Sequence, residues 1–323
     1  MNKAKVFITR KWPASVEDKL RARYNVTLNE DDRPLTADEL KHALQNHDAV
    51  CPTVCDSFPA EVLSVENKRC KILANFGVGY NHIDIAAAKA QNLIITNTPG
   101  VLTESTADIA MTLLLMSARR GAEGDRLVRS QQWQGWCPTH MMGSDVTGTT
   151  LGLIGFGRIA QSMARKAHHG FGMKIIYFKP SPAEQNIIAD LNATRCDSIE
   201  ELMQTADFVS LHCPGGESTK HLINQQMLDL MKPTAHLINT ARGDVVDTKA
   251  LINTLKAKRI AGAGLDVYEG EPNVDEGLLQ LDIVSLLPHL GSATIATRTA
   301  MGKKVLNNLE AYFSGQAIPD QVI

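Results

Sequence analysis

Four ionisable residues recur at comparable places in the second half of the chain. Arg242 lies in Ile238-Asn239-Thr240-Ala241-Arg242-Gly243. Asp266 and Glu271 lie in Gly264-Leu265-Asp266-Val267-Tyr268-Glu269-Gly270-Glu271-Pro272. His289 lies in Leu286-Leu287-Pro288-His289-Leu290-Gly291-Ser292. Each follows a short apolar run that reads as a strand, and ligands of α/β sheets bind outside the carboxyl ends of strands. An arginine there can clamp a carboxylate and polarise a carbonyl. A protonated histidine can deliver a proton, and a neighbouring carboxylate favours the imidazolium and fixes its tautomer. Adding hydride to C2 of a 2-keto acid builds negative charge on the carbonyl oxygen, so these types suit that reduction. Singly, each has a plainer reading: a hydrogen-bonded structural histidine, an Arg-Gly turn, a Glu-Pro loop.

The strongest local signal is Gly155-Phe156-Gly157-Arg158-Ile159-Ala160, after the apolar run Leu151–Ile154 and before the helical run Ala160–His168. This G-x-G-x-x-A in strand–turn–helix context is the dinucleotide fingerprint. Gly155 permits the turn, Gly157 lets the backbone approach a pyrophosphate, and Ala160 allows close helix–strand packing. The helix N-terminus offers free N–H groups and partial positive charge, to which Arg158 can add. S-adenosylmethionine binding and a purely structural turn are the competing readings. An NAD enzyme commonly carries a carboxylate about 20 residues on. Here the position 19 residues past Ala160 is Lys179, in Tyr177-Phe178-Lys179-Pro180-Ser181. A cation there suits the 2′-phosphate of NADP(H), unless the lysine is merely solvated.

Two series of elements position these groups. Lys5–Thr9, Asp48–Cys51, Lys71–Ala74 and Leu93–Thr96 read as strands. Ala14–Tyr24 and Thr36–Asn46 read as helices, the latter with Thr36 and Glu39 spaced as a capping box. Ser105–Arg120 is a mostly apolar helix that should be buried. Residues 121–149 read as polar and irregular. A second series follows: strands Leu151–Gly155, Lys174–Phe178, Phe208–His212, His236–Thr240, Ile260–Val267 and Ile283–Leu287, then a long helix over Ala293–Phe313 that could return to the first series. Such alternation predicts parallel sheets covered by helices.

With 323 residues, 44% hydrophobic and 21% charged, the chain has material for two cores. A net charge of −2 gives a nucleic-acid role no support. There is no membrane-length apolar run and no signal-peptide pattern, so a cytoplasmic location is expected. Cys51, Cys55, Cys70, Cys137, Cys196 and Cys213 form no C-x-x-C pair and no zinc spacing. They read as reduced thiols, mostly small core residues, and no metal is expected.

Taken together, the chain resembles the D-isomer-specific 2-hydroxyacid dehydrogenase family, and within it the glyoxylate/hydroxypyruvate reductases, also called 2-ketogluconate reductases. The resemblance runs from about residue 70 to about 315. It is carried by Asn75–Asn81 (NFGVGYN), Asn97–Asp108 (NTPGVLTESTAD), the glycine loop, Asn239–Gly243, Gly264–Val267, Glu271-Pro272 and Pro288–Ser292. It implies that Arg242 binds the substrate carboxylate and carbonyl, that Glu271 pairs with His289, and that His289 is the acid/base. The backbone of Gly77, Val78 and Gly79 would hold the substrate carboxylate. The cofactor would be contacted by Thr106, Gly155, Phe156, Gly157, Arg158, Ile159, Lys179, Ser181, Pro214, Thr240, Ala241 and Asp266.

The fold implied is α/β: two Rossmann-like or flavodoxin-like parallel-sheet domains, the cofactor domain inserted into the substrate domain. The substrate domain would be residues 1–99 plus 292–323 and the dinucleotide domain 100–291. Homodimers are usual in the family, and the segment Trp133–Met142 resembles a part that reaches the partner. NADP-using relatives often carry Arg where this chain has Pro180, and NAD-using relatives often read Asp-Pro where it has Lys179-Pro180. NADPH is therefore the expected cofactor, with NADH possible through loss of that arginine. The expected reaction is reduction of glyoxylate to glycolate and of hydroxypyruvate to D-glycerate. The alternatives are a larger 2-keto acid such as 2-ketogluconate, or a dinucleotide-sensing corepressor-like binding protein, for which docking extensions past Ile323 are not expected.

Overall fold

The computed structural model describes residues 3–323. In chain order the first elements are β1 (Lys5–Ile8), α1 (Ala14–Arg23), β2 (Asn25–Leu28), α2 (Ala37–Asn46), β3 (Ala49–Cys51), α3 (Ala60–Leu63), β4 (Ile72–Ala74), α4 (Ile85–Ala90) and β5 (Ile94–Thr96). Next come α5 (Thr103–Ala118), α6 (Gly121–Arg129), β6 (Thr150–Ile154), α7 (Arg158–Phe171), β7 (Lys174–Phe178), α8 (Gln185–Leu191), β8 (Thr194–Arg195), α9 (Ile199–Thr205) and β9 (Phe208–Leu211). The last are α10 (Gln225–Asp229), β10 (His236–Asn239), α11 (Thr248–Lys256), β11 (Gly262–Leu265), α12 (Glu276–Leu279), β12 (Val284–Leu286) and α13 (Ile295–Phe313). The chain divides into two compact units, one of residues Met1–Leu102 with Ala293–Ile323, the other of Thr103–Ser292.

The first unit holds a parallel sheet in the order β2-β1-β3-β4-β5. Successive strand residues point to opposite faces, and both faces are buried, as a parallel sheet requires. Val6, Ile8, Cys51 and Ile72 pack with α1 and with Val305, Leu306 and Leu309 of α13. Val50, Leu73 and Ile95 pack on the other side with Leu40, Leu44, Val62 and Ala88. The last helix thus returns to the first strands. Thr36 and Glu39 close α2 with the expected capping box. The edge of β5 is covered by the chain's end, where the Val322 N–H donates to the Ile95 carbonyl at 2.7 Å.

The second unit is a seven-stranded parallel sheet, β12-β11-β10-β9-β6-β7-β8. This is the doubly wound order, reversing between β6 and β9. Helices α5, α7 and α8 cover one face with Leu113, Leu114, Met163 and Tyr177 in the core. Helices α9, α10 and α11 cover the other with Leu202, Leu228, Leu237 and Leu251. Helix α5 is buried along much of its length, as its apolar composition requires.

Two elements depart from the sequence reading. Strand β2, with alternating polar residues (Asn25, Thr27), has no apolar run to announce it and is fixed by pairing with β1. The segment 121–149 begins with a helix, α6. It buries no residue of its own, so apolar periodicity could not reveal it. Arg120–Glu123, Arg129–Asp125 and Arg126–Asp282 ion pairs hold it instead. None of the six cysteines is in a disulfide. Cys51, Cys70 and Cys196 are buried, whereas Cys55 and Cys137 are exposed. Among the described residues no helix is long and apolar enough to cross a membrane.

Candidate active site

In the second unit, Arg242, Asp266, Glu271 and His289 all follow the carboxyl ends of β10, β11 and β12. The strands are adjacent and parallel, so residues far apart in sequence share one edge of the sheet. His289 Nδ1 and Glu271 Oε2 are 2.8 Å apart. The other oxygen of Glu271 accepts the Tyr268 N–H at 2.8 Å. Burial, the largest single influence on Glu271, pushes its carboxyl up. The bond and charge of His289, the Tyr268 N–H and the Arg242 guanidinium outweigh it, and the carboxyl lies below its ordinary value. The carboxylate therefore stays charged and holds Nδ1 as a donor, which leaves Nε2 to exchange a proton.

His289 adopts left-handed backbone, φ 55°, which costs a non-glycine residue roughly 1–2 kcal/mol. Asp266 holds that turn. Its carbonyl accepts the His289 N–H at 2.9 Å, and its carboxylate accepts the Leu290 and Gly291 N–H groups at 2.6 and 2.8 Å. Burial raises the Asp266 carboxyl, while those two N–H donors and the His289 charge oppose the rise. Thr106, on α5, donates to the Gly291 carbonyl at 3.1 Å. Tyr268 ties the neighbouring strand ends, its hydroxyl reaching the Leu287 carbonyl at 2.8 Å and the Leu265 carbonyl at 3.2 Å.

Arg242 is placed by its neighbours. Asn239 accepts the Ala241 N–H at 3.0 Å and donates to the Arg242 carbonyl at 2.8 Å. Burial lowers the guanidinium's value, opposed by Glu271 and Asp244, but an arginine remains charged. The next residue must be glycine, because a Cβ on Gly243 would sit 1.9 Å from the Tyr268 carbonyl carbon. That close approach brings the Arg242 loop against the loop that carries Glu271.

The glycine turn lies at the β6/β9 reversal. Gly155 has φ +85°, and a Cβ there would be 2.7–2.8 Å from the His212–Cys213 backbone. Gly157 caps α7 with no side-chain bond, and nothing lies within 4 Å of where its Cβ would be. The first N–H groups of a helix lack intrahelical partners, so those at the start of α7 remain available to a ligand above Gly157. Thr240 Oγ1, at the end of β10, is buried without a hydrogen-bond partner among the described residues. A free helix N-terminus, room above Gly157 and an orphaned hydroxyl on the same strand edge fit a dinucleotide. Phe156 contributes backbone only. Its ring is 1% exposed and stacks on Tyr177 with centroids 4.1 Å apart. Arg158, Pro214 and Ser181 are exposed, Lys179 partly so, and Ala241 buried.

In the first unit the Gly77–Gly79 loop is tied back by its carbonyls. Asn75 Nδ2 donates to Gly77 and Gly79 at 3.1 and 3.0 Å, Asn97 Nδ2 to Val78 at 2.9 Å, and the Thr98 N–H to Gly77 at 3.0 Å. A peptide N–H points opposite the preceding carbonyl, so the Val78 and Gly79 amides are directed away from these anchors. The sequence reading missed Asn75 and Asn97 as the residues that aim the loop, and Tyr268 as the tie between strands. Both asparagines stand in the NFGVGYN and NTPG motifs, which was the available signal.

Residues 111–291 match the family described as D-isomer specific 2-hydroxyacid dehydrogenase, NAD binding domain. The glyoxylate reductase of Thermococcus onnurineus (strain NA1) is 44% identical over 99% of this chain and 96% of its own length. The glycerate dehydrogenase of Hyphomicrobium methylovorum is 36% identical over 98% of each. The NADPH-dependent glyoxylate/hydroxypyruvate reductase of Sinorhizobium meliloti, solved with NADP and malonate, superposes with TM-score 0.86 at 33% identity, covering 99% of this chain and 97% of that one. Sheet order, strand-end residues and full-length similarity agree: the chain belongs to the D-isomer-specific 2-hydroxyacid dehydrogenase family.

Proposed function

We propose that the protein reduces small 2-keto acids with a nicotinamide dinucleotide, glyoxylate to glycolate and hydroxypyruvate to D-glycerate. The observation that carries this reading is the 2.8 Å His289–Glu271 pair on the same strand edge as Arg242. The bound reduced dinucleotide supplies the hydride that adds to C2. Arg242 binds the substrate carboxylate and draws charge onto the carbonyl oxygen. The family resemblance assigns the backbone of Gly77, Val78 and Gly79 to the substrate carboxylate. His289 Nε2 gives its proton to the oxygen as the C2–H bond forms, and Glu271 stabilises the imidazolium before transfer. The product is the 2-hydroxy acid, and the neutral imidazole is reprotonated from solvent.

Lys179 in place of a carboxylate after β7 supports NADPH over NADH. Trp136 is 81% exposed and Met142 69% in the segment that resembles a partner-reaching arm, which supports a homodimer. A solution mass showing monomer alone would overturn the dimer. The activity is tested by following nucleotide absorbance with glyoxylate or hydroxypyruvate, using NADPH and NADH separately. Faster oxidation of NADPH is expected. Oxidation only with larger 2-keto acids would move the substrate to the 2-ketogluconate class. Dinucleotide binding without turnover on any 2-keto acid would overturn the enzyme reading in favour of a binding module.

A further inference from the structure

The family's common phosphate-reading arginine is replaced here by Pro180, yet the structure puts another arginine against the same turn. Arg195 closes the edge strand β8, whose register with β7 sets Tyr177 opposite Arg195. From there its guanidinium reaches back to the turn after β7. Nε donates to the Lys179 carbonyl at 3.3 Å, and Nη2 to the Lys179 and Pro180 carbonyls, each at 3.1 Å. Nη1 takes no hydrogen bond among the described residues. The side chain is exposed. Neither Lys179 nor Arg195 forms an ion pair among the described residues, although five acids lie between residues 184 and 201. Of these, Asp190 faces Arg165 and His169, and Glu201 accepts the Asp197 N–H. Two uncompensated cations thus meet at one turn, beside the strand edge where a carboxylate would bind an unphosphorylated ribose.

We propose that Arg195 is a specificity-determining residue for the cofactor: it holds the Lys179–Ser181 turn through its backbone carbonyls and, with Lys179, forms the site for the adenosine 2′-phosphate. A guanidinium already fixed on two carbonyls loses little freedom when it takes a phosphate oxygen on its remaining donor. Its charge also favours the dianionic phosphate over a bare hydroxyl. The inference rests on the dinucleotide-dependent reading above, and deepens it by naming what replaces the lost arginine.

The test is direct binding by calorimetry, of NADPH and NADH and of the fragments adenosine 2′,5′-bisphosphate and 5′-AMP, to the wild type, Arg195→Gln and Arg195→Lys. For Arg195→Gln the account predicts that NADPH and the bisphosphate weaken on the order of 10-fold, the magnitude of one charge-assisted hydrogen bond. NADH and AMP should stay within about twofold. Arg195→Lys should recover part of the loss. Equal weakening of NADPH and NADH would make Arg195 only a structural staple. An unchanged NADPH affinity, or a wild type that binds both nucleotides equally, would likewise overturn the assignment. Because binding is read without substrate, failure of the reductase reading would appear separately, as absent turnover with the binding preference intact.

Discussion

His289 Nε2 is the atom on which the account's chemistry turns, and replacing His289 with Ala should lower kcat on the order of 10²–10⁴-fold. Because His289 makes no bond to the glycine turn, the dissociation constant for the dinucleotide should be unchanged. Near-normal turnover would remove the residue from the acid role. Glu271 sets the pH behaviour. Its carboxyl is held below the ordinary value, so its pairing with His289 is fully present above the ordinary carboxylate range. That pairing is lost only as pH falls through the lower, folded value. The wild-type kcat/KM profile for reduction should therefore hold well into the acid range. Glu271→Gln should lower kcat roughly 10–100-fold, the cost of leaving the imidazolium without its charge partner. A profile that fails near the ordinary glutamate value would contradict the assigned pairing. Residue type and strand-end context single out Arg242, Glu271 and His289 as candidates, whereas the pairing of Glu271 with His289 was implied only by the family resemblance. Asn75, Asn97, Tyr268 and Arg195 were not legible, since each acts through main-chain partners that only the folded backbone brings near.

Among the elements, the glycine turn and the Gly243 crossing make opposite demands. Gly157→Ala adds a methyl in open space and removes flexibility from the unfolded chain, so stability should be unchanged or higher by about 0.5 kcal/mol. The same methyl lies where a pyrophosphate must approach, and dinucleotide affinity should drop on the order of 10-fold or more. Retained affinity in a titration would place the phosphates elsewhere. Gly243→Ala drives a methyl into the Tyr268 main chain. It should cost about 3 kcal/mol or more, since backbone cannot step aside as a side chain can, and a thermal melt within a degree of wild type would contradict the crossing. Strands buried on both faces were legible as apolar runs, as were α2, by its capping box, and α5, by its composition. Strand β2, whose apolar face is only the half-buried Val26 and Leu28, and helix α6, which buries no residue, were not.

For the molecule as a whole, the two parallel sheets follow from one rule: strand–helix alternation with both faces buried. The return of α13 to the first strands makes the first unit discontinuous in sequence. The element order already allows the last helix to return to the first series, and the family resemblance implies that it does. The most direct measurement is reduction of hydroxypyruvate by the purified protein with NADPH, with the glycerate formed resolved by enantiomer, in wild type and His289→Ala. The account predicts turnover in the wild type that yields D-glycerate, and its near abolition in the variant. L-glycerate, a racemic product, or turnover that survives loss of His289 would contradict it.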